Sequence, residues 1–262
     1  MSDDVYFDWV QRCAALLHEP LPVPPPPPPA PRRAAEPPPG APLCLILSPH
    51  PDDECVTGLL PLRLRREAGW RVVNLAVTLG SAKARQAERA AELQAACAQL
   101  GFELDLPTEP SPEAALARAL AQHAPQMVLM PHALDAQPTH RRVQQWGTAA
   151  IEAAGRPIEA VYTEFWSTLL EPNLLVMGDV ASTADLVRAL ACHVGEVTRN
   201  PYHQRLPAGM ADALRRGGEL VQGPGSEPPR GDFATLYQRR RFDGRQWQAP
   251  EPGRVWALEQ AW

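Results

Sequence analysis

The first sustained apolar stretch in the chain is Leu43-Cys44-Leu45-Ile46-Leu47, an unbroken run that ends on Ser48-Pro49 and fits a strand buried on both faces. Residues 54–68 then set Leu59, Leu62 and Leu64 among arginines and stop on Gly69, the pattern of an amphipathic helix. Residues 71–78 carry Val72-Val73-Asn74-Leu75-Ala76-Val77, a second strand, before a Leu79-Gly80-Ser81 turn. These elements make one βαβ unit. The pattern repeats, with a helix over 82–100 closing on Gly101, a short run over 102–106, a helix over 112–123 capped by Ser111 with Pro112 at its first position, and a strand over 126–130. Such alternation predicts an α/β fold, a Rossmann-like, doubly wound, mostly parallel sheet with helices on both faces. With strand order 3-2-1-4-5, the loops just after Leu47 and just after Met130 face each other across the ligand crevice.

Composition divides the chain further. Thirteen of its 31 prolines fall within residues 20–42, including the run Pro24 to Pro29 and the triplet Pro37 to Pro39. No helix or central strand holds such a segment. It reads as a linker able to span about 70 Å when extended. It separates a short N-terminal helical segment, 1–19, from a body over 43–262, and it offers a polyproline ligand for an SH3-like partner. Lys+Arg 25 against Asp+Glu 30 argues against a nucleic-acid binder. No stretch has the length and apolarity of a membrane span, and Ser2-Asp3-Asp4 does not open a signal peptide, so a soluble cytoplasmic protein is expected. The five scattered cysteines support neither a disulfide framework nor a thiolate zinc site and are expected as reduced, mostly buried thiols.

Both predicted crevice loops are polar. After the first strand comes His50-Pro51-Asp52-Asp53-Glu54. Three carboxylates and an imidazole this close repel one another unless a cation or protons offset the charge, and a divalent metal is the economical answer. The simpler alternative has Asp52 or Asp53 capping the next helix, which leaves His50 without a role. After the later strand comes Pro131-His132-Ala133-Leu134-Asp135-Ala136-Gln137-Pro138-Thr139-His140. A His, Asp and His set with open positions suits hydrolytic zinc, which lowers the pKa of a bound water and polarises a carbonyl.

Ser48-Pro49-His50-Pro51-Asp52-Asp53-Glu54, with the later Pro131-His132 to Thr139-His140 loop, resembles the PIG-L/LmbE family of zinc-dependent N-deacetylases. Weaker matches run through Val77-Thr78-Leu79-Gly80, residues 89–101, Glu164-Phe165-Trp166 and Glu171-Pro172-Asn173, and residues 1–42 lie outside the resemblance. The resemblance implies His50, Asp53 and His140 as zinc ligands, Asp52 as general base, and removal of an acetyl group from an N-acetylglucosamine-type amino-sugar conjugate. Glu54 is then a helix-start residue. The sugar-holding pair of the family is assigned to Arg89 and Asp135, although Arg89 could instead pair along its own helix with Glu88 or Glu92.

One departure bears on mechanism. The family loop usually reads His-Pro-Asp-His, whereas this chain has Gln137-Pro138-Thr139-His140. Gln137 can donate a hydrogen bond to an oxyanion but cannot deliver a proton. Either Asp52 does all the proton shuttling, or His132, oriented by Asp135, substitutes; the alternative for His132 is a satisfied loop histidine. The same departure motivates a second functional class, a non-catalytic carbohydrate-binding descendant. Elsewhere, Gly217-Gly218 and Gln222-Gly223-Pro224-Gly225 read as turns, and Arg239-Arg240-Arg241 as a solvated strand or edge. Residues 193–203 read as a cleft wall or a solvated connection, and Trp247, Trp256 and Trp262 as packed on the body.

Overall fold

The computed structural model describes residues 4–26 and 36–262. Helix α1 (Val5–Leu16) is followed by β1 (Leu43–Ser48), α2 (Asp53–Val56), α3 (Leu59–Glu67), β2 (Arg71–Ala76), α4 (Gln86–Leu100), β3 (Glu103–Asp105) and α5 (Pro112–His123). Then come β4 (Met127–Pro131), α6 (Pro138–Ala154), β5 (Pro157–Thr163), β6 (Leu174–Gly178), α7 (Val180–Leu190), α8 (Val194–Arg199), α9 (Leu206–Gln222), β7 (Phe233–Asp243) and β8 (Arg254–Trp256). The strands form one sheet in the order β3-β2-β1-β4-β5-β7-β6-β8. The first five are parallel throughout, in the order the alternation predicts. Only β7 runs against its neighbours.

The continuous apolar run of β1 reflects burial on both faces. Leu43, Leu45 and Leu47 join one core with α5 and α6, while Cys44 and Ile46 join the other with α3, α4 and α7. β4 divides the same way, with Val128 and Met130 on one side and Met127 and Leu129 on the other. Period-two geometry sends alternate side chains to opposite faces, so a central parallel strand needs apolar residues at every position. Ser111 caps α5 through its Oγ, which accepts from the Ala114 N–H at 3.2 Å.

Three expectations need correction. The helix expected over 54–68 is two helices, broken at Gly58, where a Cβ would come within 2.4 Å of the Leu186 side chain. Helix α7 packs so closely there that only glycine fits. Gly217 and Gly218 are not a turn but buried helical residues of α9, the first against Leu175 and the second against the Pro228 backbone. The triplet Arg239 to Arg241 lies on a strand, β7, with Arg241 exposed, but that strand is inside the sheet rather than at its edge, and Arg239 pairs with Glu159 and Glu251. The start of the proline-rich segment touches the body. Gln204 Nε2 donates to the Glu19 carbonyl, Arg188 Nη1 donates to the Pro26 carbonyl at 3.1 Å, and Val23 packs on the core. Four of the segment's thirteen prolines, at 27–29 and 31, and with them part of the expected SH3-like ligand, lie outside the described residues.

Trp256 is fully buried and Trp262 packs on it at 4.8 Å between ring centroids, in line with a tail folded onto the body. Among the described residues, no helix is long and apolar enough to cross a membrane.

Candidate functional site

The loops following β1 and β4 meet as their strand adjacency requires, because β1 and β4 are neighbours and both end on the same side of the sheet. Asp53 Oδ2 lies 3.4 Å from His50 Nδ1 and 3.5 Å from His140 Nε2. Ligand atoms at two corners of a tetrahedron around zinc are separated by roughly 3.3–3.6 Å, given metal–ligand bonds of about 2.0–2.2 Å. The chemistry of the donors agrees with the spacing. His140 is fully buried, neither ring nitrogen has a hydrogen-bond partner, and burial holds its pKa below the ordinary value, so its imidazole is neutral with a free lone pair. A buried polar ring without partners is costly unless something coordinates it. The residues present therefore fit a divalent cation.

His50 behaves differently. Burial lowers its pKa, but the hydrogen bond and charge of Asp53, joined by the charge of Asp52, outweigh burial and raise it. Asp52 itself stands at the N-cap of α2 with φ 116°, in the left-handed region that L side chains rarely adopt. Its carboxyl is pushed up to about 7 by burial, then by the neighbouring charges of Asp53 and Glu54, against the opposing pull of Tyr202 and His193. Tyr202 O–H donates to Asp52 Oδ2.

Gln137 is the N-cap of α6. Its Oε1 accepts from the N–H groups of Thr139 and His140, the latter at 3.2 Å, which leaves its amide nitrogen 3.4 Å from His50 Nε2. His50, Asp52, Asp53, Arg89 and Gln137 all line one cavity of about 1130 Å³, together with Glu164 and Trp166. That volume lies at the upper end for a small-molecule site.

Residues 45–151 match the PIG-L family, described as GlcNAc-PI de-N-acetylase. The match spans the strand, the His-Pro-Asp-Asp-Glu loop and the His140 helix that build this cavity. Over this stretch the chain is similar to a PIG-L domain. Solved structures agree on the fold. The conserved protein TT1542 from Thermus thermophilus is 22% identical, with a TM-score of 0.58 over 74% of this chain and 92% of that one. N,N'-diacetylchitobiose deacetylase from Pyrococcus horikoshii is 15% identical, with a TM-score of 0.58 over 93% of this chain and 95% of that one. The 4-carboxy-2-hydroxymuconate hydratase GalB from Pseudomonas putida is 18% identical, with a TM-score of 0.56 over 76% of this chain and 95% of that one. No curated protein matches the chain.

Within the matched stretch, two residues fall elsewhere than the sequence suggests. His132 is buried with its Nε2 donating to the Ser167 carbonyl at 3.0 Å, and it does not line the cavity. This is the loop-satisfied arrangement, because the short loop after β5 brings a carbonyl directly onto the ring. Asp135 is not on the cavity wall either. Its Oδ1 lies 3.5 Å from His140 Nδ1 and accepts from Gln137 N–H at 2.8 Å, and its Oδ2 accepts from Trp166 N–H at 3.1 Å. It stands behind His140, where a carboxylate fixes the tautomer and orientation of a metal-ligating ring. Arg89 does face the cavity. Its Nη2 donates to the Pro51 carbonyl at 3.0 Å, Glu196 lies 3.9 Å from Nη1, and its Nε has no partner; Glu88 and Glu92 do not hold it.

Sequence reasoning missed Tyr202 and underrated Glu54. The signal for both was the polar stretch 193–203, which supplies His193 to Glu54 and Tyr202 to Asp52. Glu54, Cys55 and His193 form a second buried trio with ligand atoms close together. It is closed on itself, since Glu54 Oε1 accepts from His193 Nε2 at 2.7 Å and from Cys55 Sγ at 3.1 Å.

Proposed function

We propose that this protein is a zinc-dependent hydrolase that removes an acetyl or similar small acyl group from the nitrogen of an N-acetylglucosamine-type amino sugar or glycoconjugate. The observation that carries the proposal is the convergence of His50, Asp53 and His140, with Asp53 Oδ2 at tetrahedral spacing from a ring nitrogen of each histidine, beside a fourth group, Asp52, left over to move protons. The fold alone would not suffice, since a hydratase shares it. The PIG-L match and the chitobiose deacetylase neighbour favour N-deacetylation.

When bound, zinc would polarise the acyl carbonyl and acidify a water molecule. Asp52 accepts the proton of the attacking water and delivers it to the departing amine, a route that needs no second acid in place of the family histidine. Gln137 turns its amide N–H groups, unused by the helix cap, toward the oxygen on which negative charge develops. Arg89 donates to sugar hydroxyls from the cavity wall, and Asp135 keeps His140 in its ligating tautomer. The five unpaired cysteines favour a reducing compartment, the cytoplasm.

Acetate release from N-acetylglucosamine glycosides and N,N'-diacetylchitobiose, alongside metal analysis, tests this reading. Asp52→Asn is expected to slow turnover about 10²–10⁴-fold with zinc retained. A zinc-loaded protein that hydrolyses no N-acyl sugar, and whose Asp52→Asn variant binds sugars as before, would instead be the non-catalytic carbohydrate binder.

A further inference from the structure

Asp52 is held in place from two sides, by Glu54 backed by His193 and by Tyr202. Its backbone N–H donates to Glu54 Oε2 at 2.9 Å. Glu54 is fully buried, and its other oxygen accepts from His193 Nε2, itself fully buried, so the carboxylate has no freedom to turn away. The Asp52 side chain is fixed separately by the Tyr202 hydroxyl. Burial and the Asp52 charge keep the Tyr202 phenol protonated, so it acts there as a donor.

Left-handed backbone at a residue other than glycine costs of order 1–3 kcal/mol and persists only where surrounding structure over-determines it. A carboxyl in hydrogen-bond contact with one donor also cannot rotate freely about its terminal torsion. We propose that His193, Glu54 and Tyr202 are positioning residues for the reaction: the His193–Glu54 pair fixes the Asp52 backbone in its left-handed conformation, and Tyr202 fixes which carboxylate oxygen faces the metal-ligand cluster. This rests on Asp52 acting as the general base. The segment 193–202 is thereby the outer jaw of the base loop, and the inner jaw is the metal-ligand set on the neighbouring residues.

The two grips are separable. Tyr202→Phe removes one hydrogen bond and keeps the ring that packs on the core. Glu54→Ala removes the acceptor for Asp52 N–H, while Glu54→Gln keeps an oxygen for it. In the zinc-reconstituted full-length chain, kcat and KM on an N-acetylglucosamine glycoside are measured together with zinc affinity by chelator competition. Tyr202→Phe and Glu54→Ala are each expected to lower kcat about 10²-fold, the size of effect that a misplaced reacting group produces. KM and zinc affinity stay unchanged within error, and Glu54→Gln recovers most of the kcat lost in Glu54→Ala. An unchanged kcat in Tyr202→Phe, or equal losses in the Gln and Ala variants, overturns the proposal. Crystal structures of the Tyr202→Phe and Glu54→Ala variants give a second readout. The Asp52 carboxyl is expected to rotate in the first and its φ to leave the left-handed region in the second. If the wild type hydrolyses no N-acyl sugar, the proposed function fails, and these structures alone decide the positioning: Asp52 unmoved in both refutes it. Should Glu54→Ala not fold, Tyr202→Phe decides.

Discussion

His140 and Asp135 show how residues of one short loop divide labour. The ring nitrogen nearest Asp53 is left for a metal, and the other faces a carboxylate that is itself pinned by two backbone N–H groups. Asp135→Asn, keeping the size but losing one accepting oxygen, is expected to weaken zinc binding about 10–100-fold, as measured by competition with a chelator. The same variant leaves Asp52 untouched, so kcat at saturating zinc falls far less than in Asp52→Asn. The meeting of His50, Asp53 and His140 was legible in the sequence because His50 and Asp53 are near neighbours in a conspicuous polar cluster and the adjacency of β1 and β4 brings the His140 loop to it. The part played by Asp135 was not, because a linear reading does not say which nitrogen of His140 it faces. Tyr202 was harder still, since 150 residues separate it from its partner Asp52.

At the level of elements, β3 and α5 are joined by a charged lock. Burial alone would raise the Asp105 carboxyl, but hydrogen bonds from Arg118 and His123 outweigh it and hold the pKa below its ordinary 3.8. A depressed carboxylate contributes stability that is complete above its unfolded pKa and fades as pH falls through the folded one. The melting temperature of Asp105→Asn is therefore expected below that of wild type at neutral pH, with the gap closing as pH drops under 3.8. Helix α9 offers a steric test. An alanine Cβ at Gly218 would come within 2.8 Å of the Pro228 backbone nitrogen, so Gly218→Ala is expected to cost about 1–3 kcal/mol in a denaturant titration. The parallel half of the sheet was readable because its central strands β1 and β4 are almost continuously apolar and α5 carries its own cap. The glycine pair of α9 was misread because a close approach between distant segments leaves no local pattern, and glycine in sequence signals a turn as readily as a contact.

Across the whole molecule, the C-terminal tail closes the antiparallel end of the sheet through one buried guanidinium. Arg63 donates to the carbonyls of Met177, Trp256, Ala257 and Leu258, pairs with Glu67, and lies 3.9 Å over the Trp256 ring. Arg63→Met leaves those acceptors without a charged donor. It is expected to cost about 2 kcal/mol or more in stability and to expose the tail to limited proteolysis, read by mass spectrometry of the cleaved chain. The packed tryptophans were foreseeable from their apolar size, whereas the arginine that organises them looked like one more polar residue on an amphipathic helix.

A single turn of 3₁₀ helix, Tyr202–Gln204, grips two parts of the chain at once. Its first residue steadies the carboxylate of Asp52, and its last holds the carbonyl of Glu19 at the root of the proline-rich arm. Arm and base are thus mechanically two residues apart, although their own positions in sequence differ by more than thirty. Trimming the arm to aid expression or crystallisation removes one of the two loads on that turn, and the effect would surface as altered turnover far from the cut.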